Sequence, residues 1–312
     1  MQSRTEQIEE LFQREDFSIL YHTRTLDSTI QWLINNGLVH SSPRCPTCQN
    51  SQMSYIKDPS KADKIKLRCK DKSCNTSKTF RWNTIFENHK LTLMEQVQII
   101  FHYFLRAISI KDILKHLPAD KKSISKVYGE TRTLIYQYME DLKRNMQLGA
   151  ENFAGMENGV VEIDETLMTH HNDEQMWVLG IFDRVTKELW CFCLPDRTAE
   201  TIIPIIREHV KLGCRIYTDG WASYNSLTHE GYDHIVVPHV NGFGSGENTT
   251  NGIESCWSEL KRLTNYYQGI QVTGEDPLES LQKHVNVGCW RRLNKNEDLL
   301  EALIHIIKIY YA

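Results

Sequence analysis

Three acidic residues in the second half of the chain stand where carboxylates could do chemistry. Asp164 lies inside the apolar run VVEIDETLM, Asp219 lies near the end of the run CRIYTDG, and Glu254 opens the helical pattern IESCWSELKRL. A carboxylate among apolar residues is costly to bury unless something binds it. Carboxylates that converge from different elements supply the oxygen ligands that Mg²⁺ prefers, so the three residues are candidates for a site of two divalent ions that acts on a phosphodiester.

Each acid also has an ordinary structural explanation. Asp164 could be a buried carboxylate with hydrogen-bond partners, Asp219 a turn residue, and Glu254 a first-turn residue favoured by the helix dipole. For each acid taken singly, the functional interpretation is no better supported than the structural one. Their order and spacing are more specific, with 55 positions from Asp164 to Asp219 and 35 more to Glu254.

Four cysteines ahead of these acids form a second candidate site. Cys45 and Cys48 make one close pair, Cys69 and Cys74 make another, and 20 residues separate the pairs. Two such pairs on facing turns predict a zinc ribbon with one structural Zn²⁺, four unrelated buried cysteines being the alternative. The start MQSRTEQIEE lacks the apolar core of a signal peptide, which favours a reducing compartment and metal binding over disulfides.

Charge divides the chain into a basic and an acidic half. Residues 1–150 carry 23 Lys+Arg against 16 Asp+Glu, whereas residues 151–312 carry 13 against 24. A basic front half suits a polyanion such as DNA, and plain solubility is the alternative. No apolar run approaches the eighteen residues of a membrane span, so no membrane partner is expected.

Helical spacing predicts three helices over residues 91–146, the last from about Ser123 to Met146. Lys121, Lys122 and Lys126 stand at the entry of that last helix, which fits a helix-turn-helix-like module that reads the major groove. A helical bundle that links two domains is the alternative.

Beyond residue 158 the pattern becomes three consecutive strands, a helix, two strands, and a helix after the loop NGFGSGENTTNG. This order predicts an α/β fold with a mixed sheet flanked by helices. The predicted domains are an N-terminal helical appendage (1–40), a zinc ribbon (41–90), a helix-turn-helix-like DNA-binding module (91–150), a catalytic core (151–270) and a C-terminal helical segment (271–312).

Several stretches together carry a family resemblance over about 45–312. They are EIDET, GIFDR, PDRTAETIIPIIREHV, IYTDGWASYNSL and NGIESCWSELKR, with FRWNTIFEN behind the cysteines. In these stretches the chain resembles the DDE transposases of the Merlin superfamily, eukaryotic relatives of a group of bacterial insertion-sequence transposases. The resemblance implies an RNase H-like catalytic core in which Asp164, Asp219 and Glu254 hold two Mg²⁺ or Mn²⁺ ions.

The same resemblance implies a cut-and-paste DNA transposase. Such a protein binds double-stranded DNA at terminal inverted repeats, cleaves it, and joins the 3′-hydroxyl ends to target DNA as a homodimer or larger assembly. A nuclear location is implied, or the cytoplasm if the source is bacterial. Two rival hypotheses are a domesticated DNA-binding protein without catalysis and an RNase H-like nuclease that hydrolyses without joining.

Three accessory residues complete the candidate site. The resemblance suggests Lys261, seven positions after Glu254, as a DNA contact. His239 falls where the family pattern has a histidine, and it could touch the scissile phosphate or a metal-bound water, or make a structural bond in a loop. Trp257 could stack on an unpaired base, with core packing as the favoured alternative.

Overall fold

The computed structural model describes residues 23–40, 42–150, 159–237, 249–266 and 276–311, without the side chains of 263–266. Its chain forms two compact units, one of Met1–Thr131 with Glu297–Ala312 and one of Arg132–Asn296. His239, most of the predicted N-terminal appendage and most of the loop before Asn251 lie outside the described residues.

In the first unit, helix α1 (Leu26–Asn35) is followed along the chain by a small antiparallel sheet. Its strands are β1 (Met53–Lys57), β2 (Ile65–Cys69) and β3 (Ser77–Thr79), in that order across the sheet. Met53 pairs with Cys69 across β1 and β2, and both side chains are buried in the same small core as Cys45. The sheet therefore brings the two ends of the cysteine motif together.

A buried ion pair joins this sheet to the helices that follow it. The guanidinium of Arg81 donates two hydrogen bonds to Asp63, at 2.5 and 2.6 Å, and a third to the carbonyl of Leu91 at 2.7 Å. The backbone N–H of Leu93 also donates to Asp63, at 3.0 Å. Through the bonds to Leu91 and Leu93, the pair fixes the start of the next helix. Removing one partner would leave an unpaired buried charge.

The helices of the first unit are α2 (Leu93–Val97), α3 (Ile110–Ile113), the start of α4 (Lys121–Asn145) and α8 (Leu299–Tyr311). After α2 the chain continues as a π-helical segment, Gln98–Phe104, where the sequence predicts a plain α-helix. Ile99, Ile100 and Phe101 are buried consecutively within this segment.

The second unit is a five-stranded mixed sheet with helices, as the sequence predicts. Its elements are β4 (Val160–His171), β5 (Glu174–Asp183), β6 (Leu189–Leu194), α5 (Ala199–His209), β7 (Arg215–Thr218), β8 (Asp233–Val236), α6 (Asn251–Tyr266) and α7 (Pro277–Leu293). The strand order is β6-β5-β4-β7-β8. The β6-β5-β4 part is antiparallel, and β7 and β8 continue parallel to β4.

Alternate residues of the central strand β4 face opposite sides of this sheet. Val161 and Ile163 are fully buried in the large apolar core with Ile202 and Ile206 of α5. The residues between them point to the other face, which α6 covers. None of the described helices combines the length and apolar character that crossing a membrane requires.

Candidate active site and candidate metal centre

The fold brings the three candidate acids to one region of the second unit. Asp164 lies within β4, Asp219 directly follows β7, and Glu254 lies in the first turn of α6. The strands β4 and β7 are parallel neighbours, with Glu162 opposite Tyr217. Since Asp164 and Asp219 each stand two residues beyond that pair, they lie at the same level of the sheet.

Burial and the neighbouring acids both act on the pKa of Asp164. Burial raises the pKa of Asp164 above its usual value, and the charges of Asp219 and Glu254 raise it further. The indole N–H of Trp257 opposes the shift by donating to Asp164 Oδ2 at 2.7 Å. In the described part of the chain, only the four cysteines bring three or more ligand atoms within 4.8 Å of one another. The acids therefore lie close enough to repel each other but do not meet that limit.

The start of α6 is anchored to the central strand by a buried carboxylate. Oε2 of Glu162, two residues before Asp164, accepts the backbone N–H of Ile253 at 2.8 Å, and its Oε1 accepts Nε of Arg184 at 2.6 Å. Arg184 also donates to the carbonyl of Thr249 and lies over the ring of Tyr217, 4.1 Å from its centroid. These bonds hold the helix turn that carries Glu254.

Two glycines make the close approach of α6 possible. A Cβ at Gly252 would lie 2.5 Å from the ring of Phe182 and 2.9 Å from Glu162 Oε1. A Cβ at Gly180, which pairs with Asp164 in the sheet, would lie 2.5 Å from the ring of Trp257. Real Cβ atoms do not approach other atoms so closely, so both positions require glycine for this packing.

A second arginine holds the turn that carries Asp219. Nη2 of Arg197 donates to the buried Glu165 at 3.2 Å. The backbone carbonyl of Arg197 accepts a hydrogen bond from the hydroxyl of Ser223 at 2.7 Å. The carboxylate of Asp219 accepts the backbone N–H of Trp221 at 2.9 Å, which closes the turn. Burial raises the pKa of Glu165, and the neighbouring Arg197 opposes that shift.

The four cysteines of the first unit form a compact cluster. Sγ of Cys45 lies 3.6 Å from Sγ of Cys74, and Sγ of Cys48 lies 3.7 Å from Sγ of Cys69. Tetrahedral coordination with Zn–S bonds of about 2.3 Å places sulfur atoms about 3.8 Å apart. The four thiolates therefore fit one tetrahedral metal ion.

The remaining predicted residues occupy different environments. Trp257 is 7% exposed and packs on the sheet beside Asp164, which corresponds to core packing and leaves no open face for a base. Lys261 is half-buried on α6, two helical turns beyond Glu254. All three lysines at the entry of α4 are exposed, and Lys126 also donates to the carbonyl of Asn88 at 2.7 Å.

Sequence reasoning missed Glu162, Glu165, Arg184 and Arg197, which support the acids without belonging to the proposed triad. A signal for them was present. The motif EIDET places three acids on one largely buried strand, and such charges require cationic partners. The arginines of GIFDR and PDRTAE are the available candidates. Arg184 directly follows β5, and Arg197 stands three residues after the end of β6 in the same sheet.

Comparison with known proteins identifies the family. Residues 156–273 match the family model described as ISXO2-like transposase domain. An uncharacterized transposase-like protein from Haemophilus influenzae is 30% identical over 121 residues, which cover 39% of this chain and 91% of that protein. The chain belongs to the ISXO2-like transposase family. The match to this transposase domain includes all three candidate acids.

Solved structures give weaker likenesses to this transposase family member. The match to the catalytic core domain of BIV integrase covers 45% of this chain and 85% of the integrase chain, with 16% sequence identity and a TM-score of 0.30. The HTLV-2 integrase catalytic core domain covers 42% and 82%, with 14% identity and a TM-score of 0.30. A simian T-cell lymphotropic virus intasome chain covers 60% and 65%, with 13% identity and a TM-score of 0.31.

Proposed function

We propose that the chain is a cut-and-paste DNA transposase whose catalytic residues are Asp164, Asp219 and Glu254. The observation that carries the proposal is the convergence of these acids from a central strand, a strand end and a helix, with two of them raising the pKa of the third. Such mutual repulsion is what a bound cation would offset, and three carboxylates are a donor set suited to hard divalent ions. Assignment to the Merlin superfamily is part of this proposal.

The strand order supports an RNase H-like core for this reaction. Three antiparallel strands lie beside two parallel ones, with the first acid on the central strand β4 and the second just after its parallel neighbour. Two Mg²⁺ or Mn²⁺ ions, when bound, would stabilise charge on the phosphodiester and activate the attacking oxygen. Asp164 and Asp219 would hold the ions, and Glu254 would complete the second position.

The supporting residues account for how the acids keep their places. Both steps, attack by water and then attack by the freed 3′-hydroxyl, are in-line displacements at phosphorus that depend mainly on positioning and electrostatics. Glu162 with Arg184 fixes the turn of Glu254, and Arg197 fixes the turn of Asp219. A pre-positioned set of carboxylates avoids reorganisation during the reaction.

DNA binding is assigned to the first unit. We infer that the cysteine cluster holds one Zn²⁺ and that the ribbon acts with the exposed Lys121 and Lys122 on the phosphates of terminal inverted repeats. Two ends must be cut and joined together, so a homodimer or larger assembly on DNA is expected. The resemblance places such a protein in the nucleus, or in the cytoplasm if the source is bacterial, and this location is part of the proposal.

The test uses the chain with a plasmid that carries the DNA flanking its coding sequence. Wild-type protein should nick and join this DNA with Mg²⁺ or Mn²⁺, while Ca²⁺ should support binding only. Asp219→Asn should bind but neither nick nor join. The matched control is Asp233→Asn. Asp233 lies on β8 and forms an exposed ion pair with Arg215 of β7, so this variant also removes one carboxylate charge.

Each outcome has a definite meaning. Strand cleavage at the wild-type rate by Asp219→Asn would contradict the assignment of the acids. Binding without any cleavage by the wild type would instead favour a domesticated DNA-binding protein. Cleavage without joining would favour a nuclease.

A further inference from the structure

Trp221 presents an apolar ring beside the proposed active site. It is 43% exposed and, among the residues that the structure describes, it is the only exposed aromatic side chain. It stands two residues after Asp219, and its backbone N–H donates to the carboxylate of that residue at 2.9 Å. Its backbone is therefore fixed to a proposed catalytic acid.

The ring of Trp221 is also held from behind. The guanidinium carbon of Arg197 lies 4.4 Å from the ring centroid, and the indole N–H points to the Arg197 carbonyl at 3.4 Å. Arg197 is itself fixed, because it lies 4.1 Å from the centroid of Trp177 and bonds Glu165. A ring with one face on a fixed cation and a large part of its surface in solvent is ordered before any ligand arrives.

Scattered exposed apolar residues are ordinary on protein surfaces, but this one differs by its fixed geometry and its place. We propose that Trp221 is a stacking platform for an unpaired nucleobase of the DNA strand bound at Asp219. The inference rests on the proposed function, since the phosphate at the acids brings the neighbouring bases within reach. Every base has a flat face, so such stacking tolerates any sequence but requires a base that has left its pair.

This role differs from that of Trp257, the tryptophan that the sequence suggested for stacking. The ring of Trp257 fills the space above Gly180, and its N–H is used by Asp164. Trp221 makes no such packing into the core cluster and keeps its surface open. The two tryptophans therefore divide the tasks: one orients a carboxylate, and the other meets the substrate.

The experiment compares two 20-nucleotide single strands that differ only in their bases. One is dT20, and the other is a strand of abasic tetrahydrofuran residues with the same phosphates. Affinities of the full chain are measured by fluorescence anisotropy in Ca²⁺. Trp221→Ala should bind dT20 roughly 5- to 100-fold more weakly than wild type and should bind the abasic strand equally well, because a stacked base contributes that much to affinity.

Two variants serve as controls. Trp221→Phe keeps a flat ring and should bind dT20 nearly as well as wild type. Leu212→Ala removes an apolar side chain that is 67% exposed in the same unit and should leave both affinities unchanged. Iodide quenching gives a second readout, because dT20 should protect part of the tryptophan fluorescence of wild type that is missing in Trp221→Phe.

An unchanged affinity of Trp221→Ala for dT20, or an equal loss on both strands, overturns the stacking role. A loss on dT20 that Trp221→Phe does not restore overturns it as well. If Trp221→Ala does not fold, the quenching comparison decides, and no protection by dT20 is the negative result. A failure of the stacking role can be told apart from a failure of the proposed function, because a wild type that discriminates dT20 from the abasic strand but never cleaves DNA contradicts only the catalysis.

Discussion

Replacing Arg184 with methionine should destabilise the second unit and loosen the start of α6. Arg184 provides the charge that balances the buried Glu162, at 2.6 Å, and also bonds the carbonyl of Thr249 ahead of the helix. Methionine keeps most of the apolar stem but removes every donor. The variant therefore isolates the effect of the guanidinium from that of the side-chain volume.

The size of the effect follows from the burial of the two partners. The side chain of Glu162 is 3% exposed and that of Arg184 is 21% exposed. Removing one partner of a buried ion pair costs about 3–5 kcal/mol, and the partial exposure of Arg184 places the expected loss near the lower end, about 3 kcal/mol. The N–H of Ile253 would still donate to the Glu162 carboxylate but would supply no balancing charge.

The double variant Glu162→Gln with Arg184→Met provides the internal check. It removes both charges, while the amide oxygen of glutamine can still accept the N–H of Ile253. Replacing both members of a buried pair costs less than orphaning one. The double variant should therefore be more stable than Arg184→Met alone, by at least about 1 kcal/mol.

Urea unfolding in EDTA, followed by tryptophan fluorescence, measures these differences, and hydrogen exchange at the first turn of α6 locates them. The control is Arg215→Met, whose partner Asp233 is exposed, so that its loss should be at most about 1 kcal/mol. The reasoning is refuted if Arg184→Met costs no more than this control. It is equally refuted if the double variant is no more stable than Arg184→Met alone.

Two further predictions concern the residues that we propose bind metal ions. Cys69→Ser should lower the zinc content of the purified chain, measured by mass spectrometry, from one ion per chain towards none. The second unit should still unfold at the wild-type urea concentration. Retention of one full zinc ion per chain would contradict this prediction. Because the pKa of Asp164 is raised, its folded form binds protons more readily than its unfolded form, so metal-free wild type loses stability as pH rises through that raised pKa. Asp164→Asn avoids this loss and should melt at pH 7 in EDTA at the same Tm or higher, yet gain less from Mg²⁺; a clearly lower Tm in EDTA would count against it.

Much of the second unit could be predicted from local pattern. Each strand from β4 to β8 is a short run rich in β-branched and aromatic residues, and α5 has apolar residues at helical spacing. Both signals depend only on near neighbours in the sequence. The positions of Asp164, Asp219 and Glu254 at a strand interior, a strand end and a helix start follow from the same patterns.

The supporting contacts could not be predicted in this way. Glu162 bonds a backbone group 91 positions away, and nothing near it in the sequence specifies that partner. The burial of Trp257 depends on how α6 crosses the sheet over Gly180. The place of the Trp221 ring depends on its contact with Arg197, 24 positions away. In the first unit, the π-helical segment Gln98–Phe104 has an apolar pattern that an α-helix could also carry.

The bond between Glu162 and the backbone of Ile253 also bears on how chains of this family can diverge. It fixes the start of α6 from the central strand, so the place of Glu254 does not depend on the length of the connection from β8. In general, each doubling of the number of residues in a loop adds only about 0.6 kcal/mol to the free-energy cost of closing it. Insertions and deletions can therefore accumulate between the second and third acids, while Glu162 and Arg184 can change only together.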